Sequence, residues 1–133
     1  GSMAIMNTQA DKEIFKTLVT VGSGDKVSDI LINFGKNLGL KSNFGKKLIP
    51  HFEKKWNVKL DDFATNTVAE KIKTPVLIVH DTNDGDVNVS CAINIRQKLK
   101  NGKLFITNGL GHTKILRDKN TINNIVDFII KNT

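Results

Sequence analysis

The chain has 133 residues, a formal net charge of +7, and 39% hydrophobic and 25% charged residues. That suffices for one domain with a modest core, and no apolar run approaches the roughly 18 residues of a membrane span. The single cysteine, Cys91, excludes an internal disulfide framework and a cysteine-rich zinc site; with no charged-then-apolar leader pattern, a cytoplasmic protein is the expectation.

Residues 1–10 are small and apolar; "GSM" reads either as a tag remnant or as helix sequence. The β-branched run Lys16–Val21 predicts a buried strand, followed by a turn at Gly22-Ser23-Gly24-Asp25. Ile30, Leu31, Phe34 and Leu38 fall at helical spacing, with Gly39 as the stop. A second helix starts at Ser42 or Asn43 and carries Phe44, Leu48, Phe52 and Trp56. Pro50 predicts a break or kink near Ile49, or a new helix with Pro50 in its first turn. Residues 57–70 read as a connection with a short turn at Asp61-Asp62. Pro75–Val79 is the clearest strand, and its four consecutive apolar residues suggest burial on both faces. After a polar loop, Asn88 caps a helix in which Ala92, Ile95 and Leu99 share a face. Asn101-Gly102 ends it, and Lys103–Ile106 is a third strand. Residues 118–131 place Ile122, Ile125, Val126 and Ile129 on one stripe, predicted to pack onto the sheet. Alternating strands and helices with buried strands predict an α/β fold: about three parallel strands with flanking helices and a helical insert.

In an open parallel sheet, ligands bind beyond the carboxyl ends of the strands. Two polar clusters stand there: His80 to Asp86 after the second strand, and Gly109-Leu110-Gly111-His112 after the third. If the strands are neighbours, Asp84 and His112, 28 residues apart, share an edge. A carboxylate facing an imidazole fixes its tautomer and stabilises its protonated form. Acidic loops and glycine turns are also common after strands for purely structural reasons. His80, Asp81, Asp84, Asp86 and His112 could instead ligate a metal. Read from Asp81, however, the calcium-loop pattern fails at Gly85, and no HExxH is present. Neither metal nor cofactor is expected.

"KTPVLIVHDTNDGDVNVSCAINIRQKL" followed by "NGKLFITNGLGHTKIL" resembles the C-terminal part of an α/β-hydrolase. That family has a Pro-led strand ending in His, an acidic loop with the catalytic Asp, a Val-Pro helix start, one more strand, and a glycine turn with the catalytic His. The resemblance covers about residues 72–131 and implies Asp84 as triad acid and His112 as base. His80 would be the polar strand end and Asp86 an accessory loop residue. Asn88 departs from the usual Pro but caps a helix well. Residues 25–70 resemble the family's helical lid, with an apolar face toward the pocket and lysines outward. Read singly, Phe34, Phe52 and Trp56 suit a plain core better than a lid.

The family's order is nucleophile, acid, histidine, with the serine in a G-x-S-x-G elbow. No such elbow occurs. Gly22-Ser23-Gly24 follows a strand but is flanked by Val21 and Asp25, and Ser28 and Ser90 lack the glycine spacing. "GSMAIMNTQADKEIFKTLVTVG" has the register expected just after an elbow. The expectation is one domain, 1–133, equivalent to the C-terminal part of a serine hydrolase acting on an ester or related acyl substrate. Without its serine the isolated chain would be inactive. Its exposed sheet edge would favour homo-oligomers.

Two other readings remain. One is a non-catalytic interaction module on the same scaffold. The other is a nucleic-acid binder, which the dispersed lysines and the absence of Tyr disfavour. Neither nucleic acid nor membrane is an expected partner.

Overall fold

The computed structural model describes residues 1–41 and 43–133; Ser42, one of the two expected helix starts, lies outside them. The fold is α/β. Three parallel strands run in the order β1-β2-β3, with β1 at Leu18–Val21, β2 at Val76–Asp81 and β3 at Gly102–Thr107. Seven α-helices flank them among the described residues: α1 Ser2–Lys12, α2 Val27–Asn37, α3 Phe44–Trp56, α4 Thr65–Ala69, α5 Val89–Lys98, α6 Gly111–Lys114 and α7 Lys119–Asn132. None is long and apolar enough to cross a membrane.

All six residues of β2 are buried, as a central parallel strand requires. Side chains alternate across the sheet. Val76 and Ile78 meet Met6 of α1, Val68 of α4 and Ile95 of α5. Leu77 and Val79 meet Ile115 and Phe128 on the other face. The strand runs two residues beyond its expected end, because His80 and Asp81 pair with Ile106 and Thr107 of β3. Its polar tip is therefore fixed by the sheet. Gln9 of α1 brackets the entry to β1: its Nε2 donates to Phe15 O, and its Oε1 accepts from Phe15 N. Pairing then begins at Leu18, two residues later than the apolar run suggested.

Three further expectations need correction. The short turn expected at Asp61-Asp62 is a 3₁₀ turn, Leu60–Phe63, but the connection 57–70 also holds a helix, α4. The reason is a stripe at every fourth residue: Leu60, Ala64, Val68 and Ile72 are all buried. Pro50 does not end α3. Pro50 and Lys46, whose carbonyl Pro50 leaves without a helical partner, are both exposed, so water can satisfy that group. On α7 the buried residues are Thr121 and Phe128, with Ile125 packed beside them; Ile122, Val126 and Ile129 are exposed. The Asp118 cap accepts from both the N–H and the hydroxyl of Thr121, which turns that residue inward and rotates the stripe.

The insert helices α2 and α3 meet through glycines. A Cβ on Gly45 would lie 2.6 Å from Ile32 Cα and from Leu31 O. Phe34, Phe52 and Trp56 join neither core, and Trp56 stacks on Phe52 at 4.9 Å. Gly45→Ala is expected to force the two backbones apart at a cost of about 2 kcal/mol. Hydrogen exchange would then rise across α2 and α3 while β2 stays protected; unchanged exchange in the insert would refute the glycine contact.

Candidate active site

The parallel register brings the carboxyl ends of β2 and β3 together, with His80 opposite Ile106 and Asp81 opposite Thr107. Each strand then turns into its own polar loop. Asp84 folds its loop around its carboxylate: Oδ1 accepts from Asp86 N at 2.9 Å and from Val87 N at 2.8 Å. Asn88, at the loop's end, caps α5 by accepting from Ser90 N. The second loop turns at Gly109 and Gly111, whose φ angles of 82° and 66° suit glycine. His112 follows in the first turn of α6.

The two expected residues meet. His112 Nδ1 lies 2.7 Å from Asp84 Oδ2. Asp84's side chain is 1% exposed and that of His112 is 37% exposed. Burial alone would raise the Asp84 carboxyl, but the Val87 N–H, the His112 ring and the Asp86 N–H outweigh it and hold the group below its ordinary range. An ionised carboxylate facing Nδ1 keeps the proton on that nitrogen. Nε2 is then the ring atom that can take a proton from a neighbour.

His80 is fully buried behind this pair. Its Nε2 is 2.9 Å from Val87 O, and so donates, and it lies 3.5 Å from Asp84 Oδ2. Val87 is thus held at its N–H by Asp84 and at its carbonyl by His80, which pins the acid loop. Asp86 supplies its backbone N–H to Asp84, while its side chain is exposed. Among the described residues, Asp84, Asp86 and His112 form a group close enough to share a metal ion. His112 Nδ1 already faces Asp84 Oδ2, so a cation that took this nitrogen as a ligand would replace that hydrogen bond.

Asp81 is the residue that sequence reasoning missed, having considered it only as a metal ligand. It is 1% exposed and accepts four hydrogen bonds. Oδ1 takes Asn83 N and Gly111 N, while Oδ2 takes Thr107 Oγ1 and Leu110 N. Burial would raise its pKa; the hydroxyl of Thr107 and the three backbone N–H groups overcome this and lower it to about 2. Asp81 therefore anchors the glycine turn that carries His112. A signal existed: an acidic residue at the tip of a buried strand needs several donors, and a glycine turn supplies free N–H groups.

Gly22, at the end of β1, forms the floor under His112. A Cβ there would stand 2.8 Å from the ring Cε1 and 2.9 Å from Nδ1, and its φ is 58°. Gly22→Ala is expected to push the ring away and lengthen the Asp84 contact beyond hydrogen-bond range. The Nδ1 proton resonance of His112 would report it; an unchanged resonance would refute the close fit.

The three serines weighed as nucleophiles, Ser23, Ser28 and Ser90, do not complete the pair. Ser23 is buried and donates to Gly24 O, Ser28 donates to Asp61, and Ser90 lies exposed in the first turn of α5. Among the described residues no hydroxyl or thiol hydrogen-bonds His112. Burial pushes the Cys91 thiol up to about 11, with the Asp25 and Asp29 charges adding to the rise, so it stays protonated at neutral pH.

Residues 41–132 match the α/β-hydrolase family model described as TAP-like protein. No curated protein matches. Rv0554 from Mycobacterium tuberculosis shares the fold at 12% identity and a TM-score of 0.70, over all of this chain and 63% of that one. The meta-cleavage product hydrolase CumD from Pseudomonas fluorescens IP01 does so at 13% identity and 0.66, over 100% and 62%. Est1E from Butyrivibrio proteoclasticus does so at 21% identity and 0.61, over 98% and 58%. The chain thus spans 58% to 63% of the length of these three solved chains.

Proposed function

The chain belongs to the TAP-like family of α/β-hydrolases, and on that premise we propose that Asp84 and His112 are the acid and base of a serine hydrolase acting on an ester or related acyl substrate. The observation that carries the reading is the 2.7 Å contact between Nδ1 of His112 and the buried Asp84 carboxylate. In this mechanism Nε2 of His112 removes the proton from a serine hydroxyl as it attacks the acyl carbon, then delivers it to the departing alcohol or amine. Asp84 holds the ring in the required tautomer and offsets its transient positive charge. The serine comes from a G-x-S-x-G turn outside these residues, and α2 and α3 act as a lid.

The test uses p-nitrophenyl butyrate. The 133-residue chain alone is expected to give no turnover above that of its His112→Ala variant. A longer protein carrying this chain behind a G-x-S-x-G turn is expected to hydrolyse the ester. Turnover by the chain alone that disappears in His112→Ala would refute the external nucleophile. Turnover by the longer protein that survives His112→Ala would refute the assigned base.

We also propose that the isolated chain self-associates. Among the described residues the edge of β1 away from β2 has no strand partner, and Ile122, Val126 and Ile130 lie exposed on α7. Sedimentation velocity at rising concentration is expected to show dimers or larger species; a single monomer boundary throughout would contradict this.

A further inference from the structure

Two Asn-Gly pairs occur in the chain, Asn101-Gly102 where β3 begins and Asn108-Gly109 just past its end. Asparagine is a chemically labile residue, and most so before glycine, which has no side chain to shield its nitrogen. Attack of the glycine nitrogen on the asparagine side-chain carbon forms a cyclic imide, and the amide nitrogen leaves as ammonia. Water then opens the ring at either carbonyl. One opening leaves aspartate. The other leaves isoaspartate, whose backbone runs through the former side chain.

The two pairs differ in their surroundings. A Cβ on Gly102 would stand 2.9 Å from Leu99 Cβ, and the Asn101 carbonyl accepts from Val76 N at 2.9 Å. Nothing lies within 4 Å of the same point on Gly109, so an imide ring has room there. Asn108 and Gly109 are both exposed, and among the described residues no hydrogen bond ties the Asn108 side chain. One contact restrains the reacting nitrogen: Gly109 N donates to Asn83 Oδ1, an exposed bond of 3.3 Å. It is longer than the 3.0 Å bonds that Leu110 N and Gly111 N make to Asp81.

Position gives the second pair its consequence. Asp81 holds the chain on both sides of it, at Thr107 Oγ1 before and at Leu110 N and Gly111 N after. An isoaspartate adds one backbone carbon between those anchors, about 1.5 Å of extra chain. The His112 ring has little room to absorb it, because Gly22 closes the floor beneath: a Cβ there would stand 2.8 Å from the ring. The contact with Asp84, now 2.7 Å, is lost once it stretches beyond about 3.5 Å. Asn101 lies at the other end of β3, about 20 Å from this turn, so the same change there leaves the contact alone.

We propose that Asn108 is a self-modifying site: its conversion to isoaspartate pulls His112 away from Asp84, and Asn83 slows the conversion by holding the Gly109 N–H. In a hydrolase the residue is then a clock that retires the base with age. That consequence rests on the serine-hydrolase reading; the modification does not.

Incubation of the 133-residue chain in warm, mildly alkaline buffer, followed by tryptic digestion and mass spectrometry, tests the site. Trypsin places the two pairs in separate peptides, 101–103 and 104–114, and electron-transfer fragmentation distinguishes isoaspartate from aspartate. The chain unfolded in urea supplies the reference. Folded, the chain is expected to accumulate isoaspartate in peptide 104–114 faster than in peptide 101–103. The Nδ1 proton resonance of His112 should disappear in the same proportion. Freshly purified Asn108→Asp, which adds the charge without the extra carbon, should keep that resonance. Asn83→Ala should raise the rate at Asn108 about twofold or more, as loss of one exposed hydrogen bond implies. A peptide 104–114 that stays unmodified in the folded chain while the unfolded chain reacts would overturn the proposal. So would a rate there no higher than in peptide 101–103, or a His112 resonance that survives full conversion. Loss of the resonance in Asn108→Asp, or an unchanged rate in Asn83→Ala, would do the same. No turnover enters this test. A chain that converts without ever supporting catalysis contradicts only the hydrolase reading; a competent hydrolase that does not convert contradicts only this site.

Discussion

His112→Ala is expected to lower ester turnover by about 10⁴-fold or more in a protein that joins this chain to its serine, because the general base is then lost altogether. Asp84→Asn is expected to be nearly as damaging, for a reason visible in the acid loop. Asp84 Oδ1 accepts from two backbone N–H groups, Asp86 and Val87. In the asparagine variant those donors keep the amide oxygen on their side. The amide NH₂ is then turned toward His112, 2.7 Å from Nδ1. Facing a donor, Nδ1 must become the acceptor, and the ring proton moves to Nε2. The ring is then in the wrong tautomer to remove a proton from serine. Combining the two substitutions should cost little more than either alone, since they disable one unit. Burst and steady-state kinetics with p-nitrophenyl butyrate would check this. Near-additive losses, or an Asp84→Asn variant with more than about a tenth of wild-type turnover, would show that Asp84 does not orient the base.

Asp81→Ala is expected to destabilise the chain by about 4 kcal/mol, because it strands several buried donors at once. Three backbone N–H groups and the Thr107 hydroxyl lose their acceptor, and two of those N–H groups belong to the turn that carries His112. The loss should therefore appear both as lower stability and as a weakened Asp84–His112 contact. Its pH dependence has a definite sign. The Asp81 pKa is lowered to about 2 in the folded chain, against about 3.9 when unfolded. A depressed folded pKa gives stability that is fully present above about pH 4 and is lost as pH falls toward about 2. The gap between wild type and Asp81→Ala in urea unfolding should therefore narrow across that window. A gap that stays constant on acidification would mean that the carboxylate charge is not what holds the turn.

The strands were legible because they are short apolar runs, and the parallel sheet because β2 is apolar on both faces. Asp84 and His112 could be paired in advance because both follow strand ends, where the loops of adjacent parallel strands converge. The α7 face was misread because the stripe of apolar residues does not show that the Asp118 cap turns Thr121 inward. The connection at 57–70 hid a stripe spaced by four, Leu60 to Ile72, behind polar neighbours. Phe34, Phe52 and Trp56 looked like core material, but α2 and α3 approach through Gly35 and Gly45 and leave the rings outside both cores.

Local pattern by itself determined the alternation of strands and helices, the class of sheet, and which residues stand at its working edge. Such features depend on periodicities of two and of 3.6 residues, which are written in neighbouring positions. Only the tertiary structure decided which atoms meet there. Asp81 reaches Thr107 and Gly111, 26 and 30 residues away, because the strand register sets Asp81 opposite Thr107. Asp25 meets Asn94 across 69 residues because the turn after β1 packs against α5. Contacts at that separation follow from how the whole core packs, and no short stretch of the chain encodes them.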